Sequence, residues 1–240
     1  MLLEALIFQP DREVPRAPRG VAERWITTAD GVRLHAWFAA GRAEGPTLVW
    51  SHGNGGNIAG RADVLLALAR AGLNVLAYDY RGYGKSGGRP TEAGVYRDAE
   101  AAYDHLRGNG VRAQGIVSFG ESLGGAVSIR LATTRPCASV AVVSTFTRMR
   151  DVAYHHFGLA ALIVGSQFDS LARLRRLTVP LFVAHGDRDE VVPFALGKQL
   201  YNAAPEPKRF LTVTGAHHND VFWSTELLDA IVAFARETAG

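Results

Sequence analysis

Short runs of β-branched and aromatic residues alternate along the chain with segments whose apolar residues recur every three or four positions. That alternation is the pattern of a mostly parallel sheet covered by helices on both faces. Residues 47–51, 73–78, 114–119, 139–144, 181–185 and 209–213 are apolar runs without alternation, as expected of strands buried on both sides. Residues 22–28 and 32–39 flank Ala29-Asp30-Gly31 and predict an antiparallel hairpin at a sheet edge, since Asp-Gly suits a tight turn. Segments 61–70, 92–107, 123–133, 194–202 and 221–237 carry the helical period and fit crossovers. The stretch 146–177 is longer than a crossover needs, and its apolar centre at 159–165 is flanked by charged residues, which predicts a small lid. No repeat, linker or low-complexity tract interrupts this order, so a single α/β domain over 1–240 with about eight strands is expected.

Composition narrows the function classes. With 48% hydrophobic and 20% charged residues the chain has the balance of an ordinary globular protein, not a disordered one. The net charge of +3 is small and spread out; Arg148-Met-Arg150 and Arg173-Leu-Arg175-Arg176 are its only concentrations, so no nucleic-acid footprint is expected. The single Cys137 has no partner for an internal disulfide or a metal motif, which favours a reducing compartment. Met1 to Phe8 is apolar, but Glu4 interrupts it and it is too short to span a bilayer. Neither a signal peptide nor a transmembrane helix is expected from it, and weak contact with a membrane surface is the most it suggests.

The chemistry centres on Gly120-Glu-Ser122-Leu-Gly124, which falls between a strand pattern and a helix pattern. In that context a serine sits on a strained turn, and glycines flank it because side chains there would strike the neighbouring strand or helix. Serine is a weak nucleophile without a base and an orienting acid, and both types follow in the chain. His185-Gly-Asp187-Arg-Asp189-Glu190 offers two candidate acids, and Gly215-Ala-His217-His218-Asn-Asp220 two candidate bases. The order Ser, Asp, His suits an α/β sheet whose loops gather at one edge. An oxyanion hole needs one N–H after the nucleophile, at Leu123, and a second from His52-Gly-Asn54-Gly-Gly-Asn57, where Asn54 is the candidate. That glycine-rich loop lacks the Gly-Lys-Ser/Thr of a phosphate loop, and Gly84-Lys85-Ser86 has Asp79 where the first glycine belongs. The remaining histidines, His155 and His156 among them, lack metal-ligand spacing, so no metal is expected.

Five motifs, His52 to Asn57, Asp79-Tyr-Arg-Gly-Tyr-Gly-Lys-Ser86, Gly120 to Gly124, His185 to Pro193 and Gly215 to Asp220, together resemble one branch of the α/β-hydrolases. The branch holds small, short-lidded bacterial serine hydrolases and eukaryotic relatives that include membrane-bound protein depalmitoylases. The likeness extends to Leu6-Ile-Phe-Gln-Pro10 and Phe168-Asp-Ser-Leu171. It implies the α/β-hydrolase fold, picks Asp189 over Asp187 and His218 over His217, and so implies a Ser122, Asp189, His218 triad transferring an acyl group to water without a cofactor. A carboxylic ester with a short or medium acyl chain is the expected small-molecule substrate, with Phe146, Leu159 and Leu162 as candidate groove residues. Acyl-thioester or short-peptide hydrolysis is the alternative, and a non-catalytic binder of the same fold is a more distant one. The membrane-inserting or cysteine-rich N-terminus usual in the eukaryotic members is missing here, which argues against membrane targeting and depalmitoylation; with the lone cysteine and no signal peptide expected, a cytoplasmic location is the expectation.

Overall fold

The computed structural model describes residues 7–239, apart from the side chains of Ala160 and Leu162. Its strands are β1 Val21–Thr27, β2 Arg33–Ala39, β3 Thr47–Ser51, β4 Asn74–Tyr78, β5 Ile116–Glu121, β6 Ser139–Val143, β7 Leu181–Gly186 and β8 Lys208–Val213. They form one sheet of eight in the order β8-β7-β6-β5-β3-β4-β2-β1. All neighbours run parallel except at the hairpin, where β2 is antiparallel to both β1 and β4. The hairpin occupies the edge, and Gly31 takes a φ of 81° in its turn, a conformation that suits glycine.

Helices α1 Ala62–Arg70, α2 Glu92–Gly108, α3 Leu123–Ala132, α6 Phe194–Ala203 and α7 Thr225–Thr238 cover the two faces. The apolar run of β3 shows why. Leu48 and Trp50 face Leu65 and Leu68 of α1 and Ile231 of α7, while Val49 faces Val95 of α2 and Val127 of α3. Every residue of β3 is buried, which is the physical meaning of an apolar run that does not alternate.

Boundaries moved where local hydrogen bonding overrode the apolar pattern. Ala113–Gly115 forms a 3₁₀ turn, so β5 starts at Ile116, two residues later than expected, and its parallel ladder continues through Ser51↔Gly120 and Glu121↔Val143 to the residue before Ser122. Near the C-terminus, Val221–Trp223 is a separate 3₁₀ turn. Ser224 then caps α7 by accepting the Leu227 N–H at 3.2 Å. Within 146–177 lie α4 Met149–Phe157, a 3₁₀ segment Gly158–Val164 and the short α5 Ser170–Leu174. One element had no sequence signal: Gln9–Pro10 pairs in parallel with Gly55–Gly56, laying the N-terminal segment against the glycine-rich loop. Residues 1–6, which carry most of the apolar N-terminal run, lie outside the described residues. No helix among the described residues is long and apolar enough to cross a membrane.

Candidate active site

Parallel strands deliver their C-terminal ends to one edge of the sheet, and the loops leaving β3, β5, β7 and β8 meet there. The turn after β5 is the tightest of them. Ser122 has φ 50° and ψ −120°, a positive φ that costs a non-glycine residue on the order of 1–3 kcal/mol and persists only where surroundings impose it. Here the Ser122 N–H donates to Val143 O at 2.9 Å and its carbonyl accepts from Thr145 Oγ1 at 2.8 Å. The flanking glycines are sterically required: a Cβ on Gly120 would lie 2.2 Å from Gly124 O, and one on Gly124 would lie 1.9 Å from Ser51 O. The result is a hydroxyl held above the N-terminus of α3.

His218, on the loop after β8, brings Nε2 to 3.1 Å from Ser122 Oγ and Nδ1 to 2.7 Å from Asp189 Oδ2. Asp189 lies on the loop after β7, 8% exposed. Its Oδ1 accepts the N–H groups of Val191 at 3.0 Å and Val192 at 2.7 Å, and Oδ2 lies 3.3 Å from His185 Nε2. Burial by itself raises the pKa of such a carboxyl, but His185, His218 and the Val192 N–H outweigh it and hold Asp189 below the usual carboxylate range. Asp189 is therefore an anion, and its Oδ2 is placed to accept an N–H from His218 Nδ1, with Nε2 of the same ring facing Ser122 Oγ.

The two competing residues have other places. Asp187 Oδ1 accepts the Gly215 N–H at 2.6 Å, joining the acid loop to the histidine loop. His217 points away, with Nδ1 at 2.9 Å from Glu190 Oε2 on the exposed surface.

The loop after β3 brings Asn54 to the same point. Its side chain is anchored: Oδ1 accepts from Tyr83 Oη at 2.8 Å and from the Gln9 N–H at 3.3 Å, and Nδ2 donates to Ile7 O. Asp79, fully buried, holds the far end of this loop by accepting the Ile58 N–H at 2.9 Å. His52 completes the support. Its ring lies 4.4 Å from that of Tyr80, Nδ1 donates to Gly53 O at 2.6 Å, and burial lowers its pKa to about 4, so it is neutral. The backbone N–H groups of Leu123, which follows Ser122 in the chain, and of Asn54, which lines the same cavity as Ser122, make no hydrogen bond among the described residues.

Two cavities adjoin the site. One, of about 600 Å³, is lined by Ser122, His218, Arg61, Glu121, Asn219 and Trp223. The other, of about 450 Å³, is walled by Met149, Val152, Phe157, Ala161, Ile163 and Val164 from the 146–177 segment. Gln9 and Asn54 line both, so the cavities meet at the glycine-rich loop. Of the candidate groove residues, Phe146 is buried in the core, 2% exposed, and lines neither cavity. Leu159 is 74% exposed and also lines neither, and the Leu162 side chain lies outside the described residues. Sequence reasoning named the 146–177 segment, but Phe146 and Leu159 are not among the residues of it that line the apolar cavity, because the packing of the segment decides which of its side chains face that space. It also missed the ion pair of Arg61 with Glu121, whose partners are sixty residues apart. Among the described residues no group of three or more His, Cys, Asp or Glu is placed to hold a metal ion.

Comparison with known proteins agrees with this architecture. The family described as serine aminopeptidase, S33, a hydrolase family, matches residues 45–172. An uncharacterized protein of Mycobacterium tuberculosis H37Rv is 39% identical over 221 residues, covering 89% of this chain and 79% of its own. Human alpha/beta hydrolase domain-containing protein 17B is 33% identical over 193 residues, covering 80% of this chain and 66% of its own. The Arabidopsis thaliana alpha/beta hydrolase domain-containing protein WAV2 is 34% identical, covering 85% and 76%. In fold the chain is similar to the Pyrococcus furiosus esterase Pf2001, with a TM-score of 0.81 at 22% identity over 97% of this chain and 100% of that one.

Proposed function

The chain belongs to the α/β-hydrolases, in the family described as serine aminopeptidase, S33, and on that premise we propose that it is a serine hydrolase that cleaves carboxylic esters through an acyl-enzyme. The observation that carries the reading is the continuous chain from Ser122 Oγ through the His218 ring to Asp189, with contacts of 3.1 and 2.7 Å. Ser122 Oγ attacks the ester carbonyl as His218 Nε2 takes its proton, and the Asp189 anion stabilises the imidazolium that forms. The Asn54 and Leu123 N–H groups receive the oxyanion, each such donor contributing about 3 kcal/mol in the transition state. His218 then returns its proton to the leaving oxygen. Water, deprotonated by the same Nε2, attacks the acyl-enzyme and frees Ser122.

Serine-enzyme chemistry is tested with a fluorophosphonate probe. Labelling of the folded protein that disappears in Ser122→Ala supports the reading; no labelling, or labelling that survives the substitution, refutes it. The apolar cavity beside Asn54 favours an acyl chain over a peptide as the group bound there. It does not separate an oxygen ester from a thioester, which share the acyl part. Rates on p-nitrophenyl esters of rising chain length, beside an acyl thioester and an aminoacyl anilide, rank the three. A faster anilide than ester turns the assignment toward a peptidase.

A further inference from the structure

The cavity around Ser122 and His218 contains an ion pair that the hydrolytic steps do not use. Arg61 Nε donates to Glu121 Oε1 at 2.6 Å, and Arg61 Nη1 donates to Gly55 O at 2.9 Å and Asn57 O at 3.2 Å. Glu121 Oε1 also accepts the Gly53 N–H at 3.0 Å. Burial opposes both charges, yet each outweighs that for the other: Glu121 is held below its ordinary pKa and Arg61 above its own. Both side chains are therefore charged.

After these bonds, Arg61 Nη2 and Glu121 Oε2 have no hydrogen-bond partner among the described residues, and neither atom is sealed from solvent. They lie close to the chemistry. A Cβ on Gly53 would sit 3.1 Å from Arg61 Nη2, 3.5 Å from Ser122 Cβ and 3.6 Å from Glu121 Cγ, so all three approach one point beside the nucleophile.

Proton transfer decides which part of a substrate meets them. The leaving oxygen must receive its proton from His218 Nε2. His218 lines the Arg61 and Glu121 cavity and not the apolar one, so the alcohol departs on the polar side and the acyl chain occupies the apolar side. A carboxylate on that alcohol would bond Nη2 but face the Glu121 anion, and an ammonium would bond Oε2 but face the Arg61 cation. A hydroxyl accepts from Nη2 and donates to Oε2, satisfying both without a net charge.

We propose that Arg61 and Glu121 form a leaving-group subsite for an alcohol bearing a second hydroxyl near the ester oxygen, so that the substrates are esters of diols or polyols with apolar acids. The assignment rests on the ester-hydrolase reading of Ser122. Neither residue changes covalently: ester and water become acid and alcohol, and the pair binds the alcohol before and during its departure.

The test compares 2-hydroxyethyl butyrate with propyl butyrate, which match in size and acyl group and differ by one hydroxyl. Two bonds to charged partners predict a kcat/KM ratio of about tenfold or more in favour of the hydroxyethyl ester. Glu121→Gln keeps a side-chain acceptor for Gly53 and Arg61 but removes the negative charge. In that variant the ratio is expected to fall at least fivefold, and hydrolysis of carboxymethyl butyrate, relative to propyl butyrate, to rise at least tenfold. Ratios within one variant cancel any general loss of folded enzyme. Equal rates of the wild type on the hydroxyethyl and propyl esters overturn the subsite alone, since turnover of propyl butyrate keeps the ester reading. An unchanged ratio and unchanged anion discrimination in Glu121→Gln also overturn it. No turnover of any ester overturns both.

Discussion

Replacing Gly124 with Ala should damage catalysis through backbone geometry, with no polar atom removed. The added Cβ would lie 1.9 Å from Ser51 O, 2.5 Å from Ser51 C and 2.6 Å from His52 O. Ordinary contact begins near 3.4 Å, and all three atoms are backbone, so no side chain can rotate away. The start of α3 must move off β3 by about 1.5 Å, at a cost of about 1–3 kcal/mol of stability for overpacking. Ser122 and the Leu123 N–H ride on that helix end, while Asn54 stays with β3, so the displacement separates the two oxyanion donors. A misplacement of about 1 Å typically costs about 10²-fold in rate. Urea unfolding measures the first effect and the fluorophosphonate labelling rate of the folded fraction the second. Gly108→Ala is the control: nothing lies within 4 Å of its Cβ, at the C-terminal end of α2, and it should stabilise by up to about 1 kcal/mol with labelling unchanged. A Gly124→Ala protein with wild-type stability and labelling refutes the steric account of the elbow.

Other expectations can be checked with the same assays. Asp189→Asn should lower kcat by about 10⁴-fold by letting His218 adopt the wrong tautomer, and a loss under tenfold in ester turnover contradicts the role given to that anion. Asp187→Ala removes the 2.6 Å bond to the Gly215 N–H; a stability loss of about 1 kcal/mol and a fall in kcat far smaller than for Asp189→Asn are expected, and equal losses would reverse the two assignments. Ala153→Trp, on the wall of the apolar cavity, should cut kcat/KM on p-nitrophenyl octanoate at least tenfold more than on the acetate; a parallel drop on both esters removes that cavity from acyl binding. Asp189 is depressed in the fold, so its ionised form is the one folding favours. Its contribution to stability is complete above the unfolded carboxylate pKa of about 4 and is lost as pH falls from there toward the lower folded value. Urea midpoints should therefore drop below about pH 4, by less in Asp189→Asn, and identical acid profiles would contradict the depressed pKa.

Much of this protein was written locally. The apolar runs that became β3 to β7, the Asp-Gly turn of the hairpin, and a serine between glycines at a strand-to-helix junction are properties of neighbouring residues, because burial on both faces and a forced turn each leave a mark within a few positions; β8, expected to be buried on both faces, instead lies at the sheet edge with Val213 alone of its residues fully buried. The chain order of serine, acid and histidine, and the glycine-rich loop before them, pointed to the residues that now surround Ser122. Asp187 and Asp189 are chemically alike two positions apart, as are the adjacent His217 and His218, so in the sequence only the family resemblance picked Asp189 and His218, and the packing of the β7 and β8 loops brings those two within 2.7 Å of each other. Tertiary structure alone decided the rest. The pairing of Gln9–Pro10 with Gly55–Gly56, the lining of the apolar cavity by Val152 and Ile163 instead of Phe146 or Leu159, and the meeting of Arg61 with Glu121 beside the nucleophile are long-range. A sequence records what each residue prefers near itself. Which distant group will satisfy its remaining hydrogen bonds, charge or apolar surface is fixed only when the sheet closes and its loops share one edge.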